Sequence, residues 1–289
     1  MNYRHHFHAG NYADVFKHVL LRVLLRGLQR KEKGFLYLDT HAGRGAYDLT
    51  VAPARPDGRE REPEWPAGIG RLWDRTDLPG ALGEFLGWVR EFTAARGTMA
   101  GGPAHYPGSP WVARACARPQ DRLVLCELRE EEAEALAHEF WADPQVRVQR
   151  QDGYGALKAL LPPPERRALV LLDPPFEDKG EFAAVMAGLR EALRRLPGGT
   201  YVVWYPVTER ARTEAFHREI AGLGGVPALV VELEVAAEAA VRMKGCGLLI
   251  LNPPWRIEEE LKPILPVLAE LLQAGPGATA RCAWLVPEA

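Results

Sequence analysis

From residue 110 onward the sequence alternates short apolar runs with stretches of helical spacing, and this alternation restricts the fold more than any other feature. The runs are LVLCEL (123–128), VRVQRQDG (146–153), ALVLLD (168–173), TYVVWYPV (200–207), ALVVELEV (228–235), GLLILNPPW (247–255) and RCAWLVP (281–287). Strands joined by helices pair in parallel, and both faces of their sheet are then covered. The last runs are not all separated by full helices, so an antiparallel strand is expected among them. Upstream, FLYLDTHAG (35–43) reads as a strand entering a glycine turn. Before it, Val15, Phe16, Val19, Leu20, Val23 and Leu24 recur at helical spacing between 12 and about 30. Between 50 and 108 Pro- and charge-rich loops flank one helical segment (81–96), and a last helix is expected over 257–273.

A chain of 289 residues, 47% hydrophobic and 26% charged, can bury one large α/β core or two smaller ones. It holds no run of 18 or more apolar residues, and MNYRHHFHAGNYADVFKH lacks the apolar centre of a signal peptide, so a cytoplasmic protein is expected. Cys116, Cys126, Cys246 and Cys282 are scattered, which suits reduced thiols better than disulfides or a zinc site. The net charge of −2 gives no global sign of a nucleic-acid partner. Locally, Arg4, Lys17, Arg22, Arg26, Arg30, Lys31 and Lys33 outweigh Asp14 and Glu32. That excess reads as the solvated face of an amphipathic helix and permits phosphate contacts.

Ligands of open parallel sheets bind beyond the carboxyl ends of the strands. Four strand ends there carry acids: Asp39, Glu127, Asp152 with Gly153, and Asp173. Each alone is an ordinary cap or turn residue; together they line one rim. Gly43-Arg44-Gly45 offers G-x-G, but Asp48 stands where a dinucleotide fingerprint needs its last glycine. Acids would also repel phosphates. A cationic cosubstrate with ribose hydroxyls and an adenine fits, with Glu127 accepting from two hydroxyls and Asp152 from an exocyclic amine. S-adenosylmethionine meets those requirements. After ALVLLD come two prolines and Phe176. An exocyclic amine is a poor nucleophile because its lone pair is delocalised. A carboxylate at Asp173 and a rigid proline carbonyl can accept its hydrogens and localise that pair, while Phe176 offers a stacking face. NPPW (252–255) repeats the grammar after a late strand and reads as a structural turn. His5, His6 and His8 form H-H-x-H without a carboxylate or Cys at ligand spacing, so no metal is expected; an N-terminal arm touching RNA through Tyr3, Arg4 and His5 is the better reading. His18 reads as a helix-face residue, and His41 as lining the ligand pocket.

Three segments together, YRHHFHAGNYADVFKH, YLDTHAGRGAYDL and LLDPPFE, with PGSP, WYPV and LILNPPW, resemble the RlmJ-type 23S ribosomal RNA adenine-N6 methyltransferases over essentially the whole chain. The resemblance implies a Rossmann-like class I fold with a mostly parallel seven-stranded sheet. It divides the chain into an N-terminal helical motif (1–34), a methyltransferase domain (35–49 and 109–289) and a helical insertion (50–108). It implies a cosubstrate pocket of His18, His41, Ser109, Glu127, Asp152, Gly153 and Asp173, with Asp173 as catalytic acceptor and Tyr3 as a substrate contact. It further implies a monomer acting on 23S rRNA free of ribosomal proteins. The family's loop is D-P-P-Y, and Phe176 here keeps the stacking face but lacks the hydroxyl. Two other readings stay open on the residues alone. One is methylation of a DNA adenine or a glutamine amide; the other is a non-catalytic RNA-binding assembly factor.

Overall fold

The structure, a computed structural model, describes residues 5–51, 62–236 and 243–288. Helix α1 (Tyr12–Gln29) leads to strand β1 (Leu36–Asp39). Two short strands follow, β2 (Ala46–Asp48) and, beyond helix α2 (Gly80–Ala94), β3 (His105–Pro107). Then come α3 (Ser109–Cys116), β4 (Arg122–Glu127), α4 (Glu130–Glu139), β5 (Val146–Arg150), α5 (Gly153–Leu160) and β6 (Ala168–Leu172). The chain continues through α6 (Glu181–Arg195), β7 (Thr200–Val207), α7 (Arg210–Ala221), β8 (Ala228–Glu234) and β9 (Gly245–Leu251). It ends in α8 (Ile257–Leu261), α9 (Leu265–Leu272) and β10 (Thr279–Val286). No helix among the described residues is long and apolar enough to cross a membrane.

The main sheet has the order β10-β8-β9-β7-β6-β1-β4-β5, eight strands as the apolar runs count, where the resemblance implied seven; β10, the last run, forms one edge. The five strands from β7 to β5 run parallel, and β9 lies antiparallel to both β7 and β8. The central strands are buried on both faces, which explains why they read as unbroken apolar runs. The segment expected to be one helix over 257–273 breaks into α8 and α9, because Pro263 and Pro266 interrupt its hydrogen bonds.

Helix α1 differs from its expected amphipathic form. Val15, Phe16, Val19, Leu20, Leu21 and Leu24 are fully buried, and so are Asp14, Lys17 and His18 almost completely. Each large apolar side chain contributes about 1.5–3 kcal/mol before entropy is counted. The helix packs against α2, α3, α8 and β9, so little of it stays solvated. Arg26 and Arg30 do reach solvent, pairing with Glu84 and Glu260, but Lys17 does not.

Within the stretch 50–108, where loops around one helix at 81–96 were expected, the described residues contain that helix as α2 and, ahead of it, two short 3-10 turns. The ends of this stretch are brought together by β2 and β3, which pair antiparallel with Tyr47 opposite Tyr106. The glycine turn after β1 therefore opens into a strand, and the next helix against the sheet is α3.

Candidate active site

Strands β6, β1, β4 and β5 are adjacent and parallel, so the four acidic ends share one rim in the order Asp173, Asp39, Glu127, Asp152. Asp39 is fully buried and accepts hydrogen bonds from the Tyr37 hydroxyl at 2.8 Å and the Ser109 hydroxyl at 2.7 Å. Burial pushes its carboxyl up to about 6. Ser109, the first residue of α3, is thereby fastened to the end of β1.

Glu127 ties two turns together. Its Oε2 accepts the Gly43 N–H at 3.0 Å and its Oε1 the Arg129 N–H at 2.8 Å. A carboxylate offers about four acceptor sites, so both oxygens keep capacity for further donors. Asp152 is exposed and caps α5 through the Gly155 N–H at 2.7 Å. The cap role and a ligand role are compatible, because the cap uses only Oδ2. Gly153 must be glycine: a Cβ there would lie 2.1 Å from the Thr40 carbonyl oxygen. The Gly43 backbone has φ +60°, and a Cβ there would meet the Tyr47 hydroxyl at 2.5 Å.

His41 faces the Thr40 hydroxyl at 2.8 Å and sits edge-on to Tyr154, and burial lowers it to about 4. His18 shares a hydrogen bond with the Tyr106 hydroxyl through Nδ1 at 3.0 Å, and burial lowers it to about 3. Its Nε2 is buried without a partner. Leu128, expected to end a buried strand, is 57% exposed beside Glu127.

The most informative contact was not legible as a motif. Lys17, counted at first with the solvated charges, donates to Asp173 Oδ2 at 2.6 Å and to Asp14 Oδ1 at 2.9 Å. Burial works against its charge, but the two carboxylates outweigh burial and raise its pKa. Asp14 Oδ2 in turn meets His5 Nε2 at 3.0 Å. The only hint in the sequence is that Asp14 and Lys17, three residues apart, sit inside the apolar stripe.

Phe176 lies 4.9 Å from Phe182 and 5.9 Å from Trp204, ring centre to ring centre, and it adopts φ +50°. A bulky residue in that region is strained. The three early histidines diverge: His5 to Asp14, His6 to the Val51 carbonyl, His8 to Glu64. Among the described residues no three His, Cys, Asp or Glu side chains form a metal-ligand group. Tyr3 and Arg4, the other expected substrate contacts, lie outside the described residues.

With this geometry in place, the likeness to known proteins is specific. The family profile described as "RsmJ: Ribosomal RNA large subunit methyltransferase D, RlmJ" matches residues 32–286. The chain belongs to the RlmJ family. Two RlmJ relatives, each named Ribosomal RNA large subunit methyltransferase J, are 40% identical in Escherichia coli and 38% in Haemophilus influenzae, each over 100% of both chains. A Legionella pneumophila protein of known crystal structure superposes with TM-score 0.82 at 36% identity, covering 96% of this chain and 97% of its own. The RlmJ fold is thus an α/β sheet of the class I methyltransferase type, as the strand order requires.

Proposed function

We propose that this chain transfers the methyl group of S-adenosylmethionine to the N6 amine of an adenine in 23S ribosomal RNA. The carrying observation is that the Asp173-Pro174-Pro175-Phe176 loop ends β6, beside the acidic ends of β1, β4 and β5. When bound, the cosubstrate supplies an electrophilic methyl group on a cationic sulfur. The residues fit such a group. Glu127 has acceptor capacity for ribose hydroxyls, Asp152 for an adenine amine, and Leu128, next to Glu127 in the chain, presents an exposed apolar face. The unpartnered Nε2 of His18 and the exclusion of phosphates by four carboxylates agree with this choice. His41, Ser109 and Gly153 shape the same pocket through the β1 turn and the start of α3 and α5.

Asp173 then accepts a hydrogen bond from the target amine and takes that proton as the new N–C bond forms and the methyl–sulfur bond breaks. Lys17 occupies its Oδ2, so Oδ1 is the oxygen turned to the amine. The Pro174 carbonyl accepts a hydrogen bond from the second N–H, and the rigid proline pair keeps both acceptors aimed without reorganisation. Phe176 stacks on the extruded base. The arm carrying Tyr3, Arg4 and His5 meets the RNA.

We read residues 1–34 as the N-terminal motif, 35–49 with 109–289 as the catalytic domain, and 50–108 as an insertion. The protein acts in the cytoplasm as a monomer on RNA free of ribosomal proteins. The test compares methyl incorporation into deproteinised 23S RNA, assembled large subunits and duplex DNA, and maps the modified base. The expected result is N6-methyladenine in free 23S RNA alone; incorporation into DNA or protein instead would overturn the assignment.

A further inference from the structure

Asp14 has a plain structural role. It is the third residue of α1, its backbone N–H bonds to the Asn11 side chain at 3.0 Å, and its Oδ2 accepts the Gly10 N–H at 3.0 Å. Those bonds form a capping arrangement that needs no partner from elsewhere. Yet only Oδ2 serves the cap. The other oxygen, Oδ1, is spent on Lys17, whose ammonium is the group in contact with Asp173, 156 residues away in sequence. Lys17 is buried between these two carboxylates, and the His5 ring closes the far side of Asp14. The His5 ring itself lies 4.9 Å from Tyr47 on β2.

We propose that Asp14 is a positioning residue for methyl transfer. It holds the Lys17 ammonium from the side opposite Asp173, so that Lys17 takes one oxygen of the acceptor and leaves the other to the amine. Through His5 it ties that setting to the short turn His5–Phe7 that precedes α1. Without the Asp14 charge, the ammonium has a single carboxylate to satisfy it and closes onto both oxygens of Asp173. The acceptor is then neutralised at the point where it must polarise the amine. This inference rests on the reading of Asp173 as the amine's acceptor.

The test is the Asp14→Asn variant, which keeps an oxygen for the Gly10 N–H and removes the charge. Methylation of deproteinised 23S RNA should show kcat lowered about 10- to 100-fold, with KM for RNA and the Kd for S-adenosylmethionine within about threefold. In a Lys17→Met background the same substitution should add less than about threefold, since its path to Asp173 is gone. Asn11→Ala, which removes the helix cap and a hydrogen bond to Glu64 but leaves the Asp14 and Lys17 charges in place, should lower Tm and leave kcat within about threefold. If Asp14→Asn does not fold, Asp14→Glu displaces the carboxylate and should lower kcat several-fold with the same unchanged binding. Full kcat in the folded Asp14 variant, or a loss undiminished when Lys17 is absent, overturns the inference. Asp173→Ala separates the two claims: if it stays active, the acceptor reading fails; if it is inactive while Asp14→Asn is not, only the Asp14 role fails.

Discussion

Two loops of this chain share one grammar, an apolar strand followed by Asp or Asn, two prolines and an aromatic, and the fold places them on opposite rims. DPPF follows β6, which runs parallel to β7 and whose last paired residue, Leu172, lies beside Val203 in the middle of β7, so the loop heads toward the carboxyl end of that strand. NPPW follows β9, whose Leu251 lies beside Tyr201 and Ala228 at the starts of β7 and β8. The reversal of β9 accounts for the difference. In NPPW the Asn252 side chain donates to the Pro197 and Gly199 carbonyls at 2.7 and 2.8 Å, its backbone N–H bonds to Pro227, and Pro254 packs on Gly27 of α1. Its left-handed residue is Asn252 itself, φ +47°, a residue type that tolerates the conformation. In DPPF the left-handed residue is Phe176, and the acid meets a buried lysine. One loop has its polar groups satisfied by its own surroundings; the other holds strain and a charge pair at the rim of acidic strand ends.

The largest expected effect breaks the comparison at its acid. Asp173→Ala should lower kcat by at least about 10²–10³-fold, while S-adenosylmethionine binds within about tenfold of wild type. The fold should survive, because Lys17 keeps Asp14 as a partner. Radiolabelled methyl transfer and calorimetric binding measure the two halves; turnover retained in the variant would remove Asp173 from the chemistry.

Acid sensitivity comes next. His18 and His41 near the DPPF rim are lowered to about 3 and about 4 by burial, so both are neutral in the folded protein. Unfolding returns them to about 6.5, and the unfolded chain then binds more protons. Their stabilisation is therefore present above pH 6.5 and is lost as pH falls toward 4 and below. Asp39, raised to about 6, acts oppositely: its contribution favours the fold at low pH and is lost as pH rises through 6. Denaturant unfolding between pH 7.5 and 4.5 should show a net decline below 6.5, less steep in His41→Asn. An unchanged slope in that variant would mean His41 is not held neutral.

At the other loop, Asn252→Ala removes two hydrogen bonds, one to the exposed Pro197 carbonyl and one to the part-buried Gly199 carbonyl, and puts alanine at positive φ. A loss of about 2–3 kcal/mol is expected, with kcat of the folded fraction within about twofold and the pH slope unaltered. A folded, stable but inactive variant would return NPPW to the catalytic candidates.

The placement of these loops was legible in part. Buried parallel strands are continuous apolar runs, so β4, β6 and β7 could be read nearly to the residue, and with them the acids at their ends. Lys17 was not legible, because a charge count treats each lysine alike; its burial arises from α1 meeting a loop more than 150 residues downstream. The same limit hid the enclosure of α1. Periodicity shows that one stripe is apolar, and only the tertiary arrangement supplies covers for the remaining sides. The break at Pro263, by contrast, was available to a stricter reading of proline.

The finest contrast lies between the two aromatics. Phe176 is half-buried against Phe182 and Trp204, whereas Trp255 is 69% exposed. If stacking on an extruded base is the role of Phe176, its loss should appear in RNA use. Stacking on an aromatic contributes about 1–3 kcal/mol per base, so Phe176→Ala should lower kcat/KM for RNA roughly 10- to 100-fold and leave cosubstrate affinity within about threefold. Phe176→Tyr restores the family's usual residue and should stay within about threefold of wild type, because the face is unchanged. Trp255→Ala removes a side chain that buries little and should change stability by less than about 0.5 kcal/mol and RNA use not measurably. Steady-state methylation of the same RNA by the three variants decides the matter. If Trp255→Ala impairs RNA use as much as Phe176→Ala, the RNA touches both rims, and position on the sheet no longer separates the two loops.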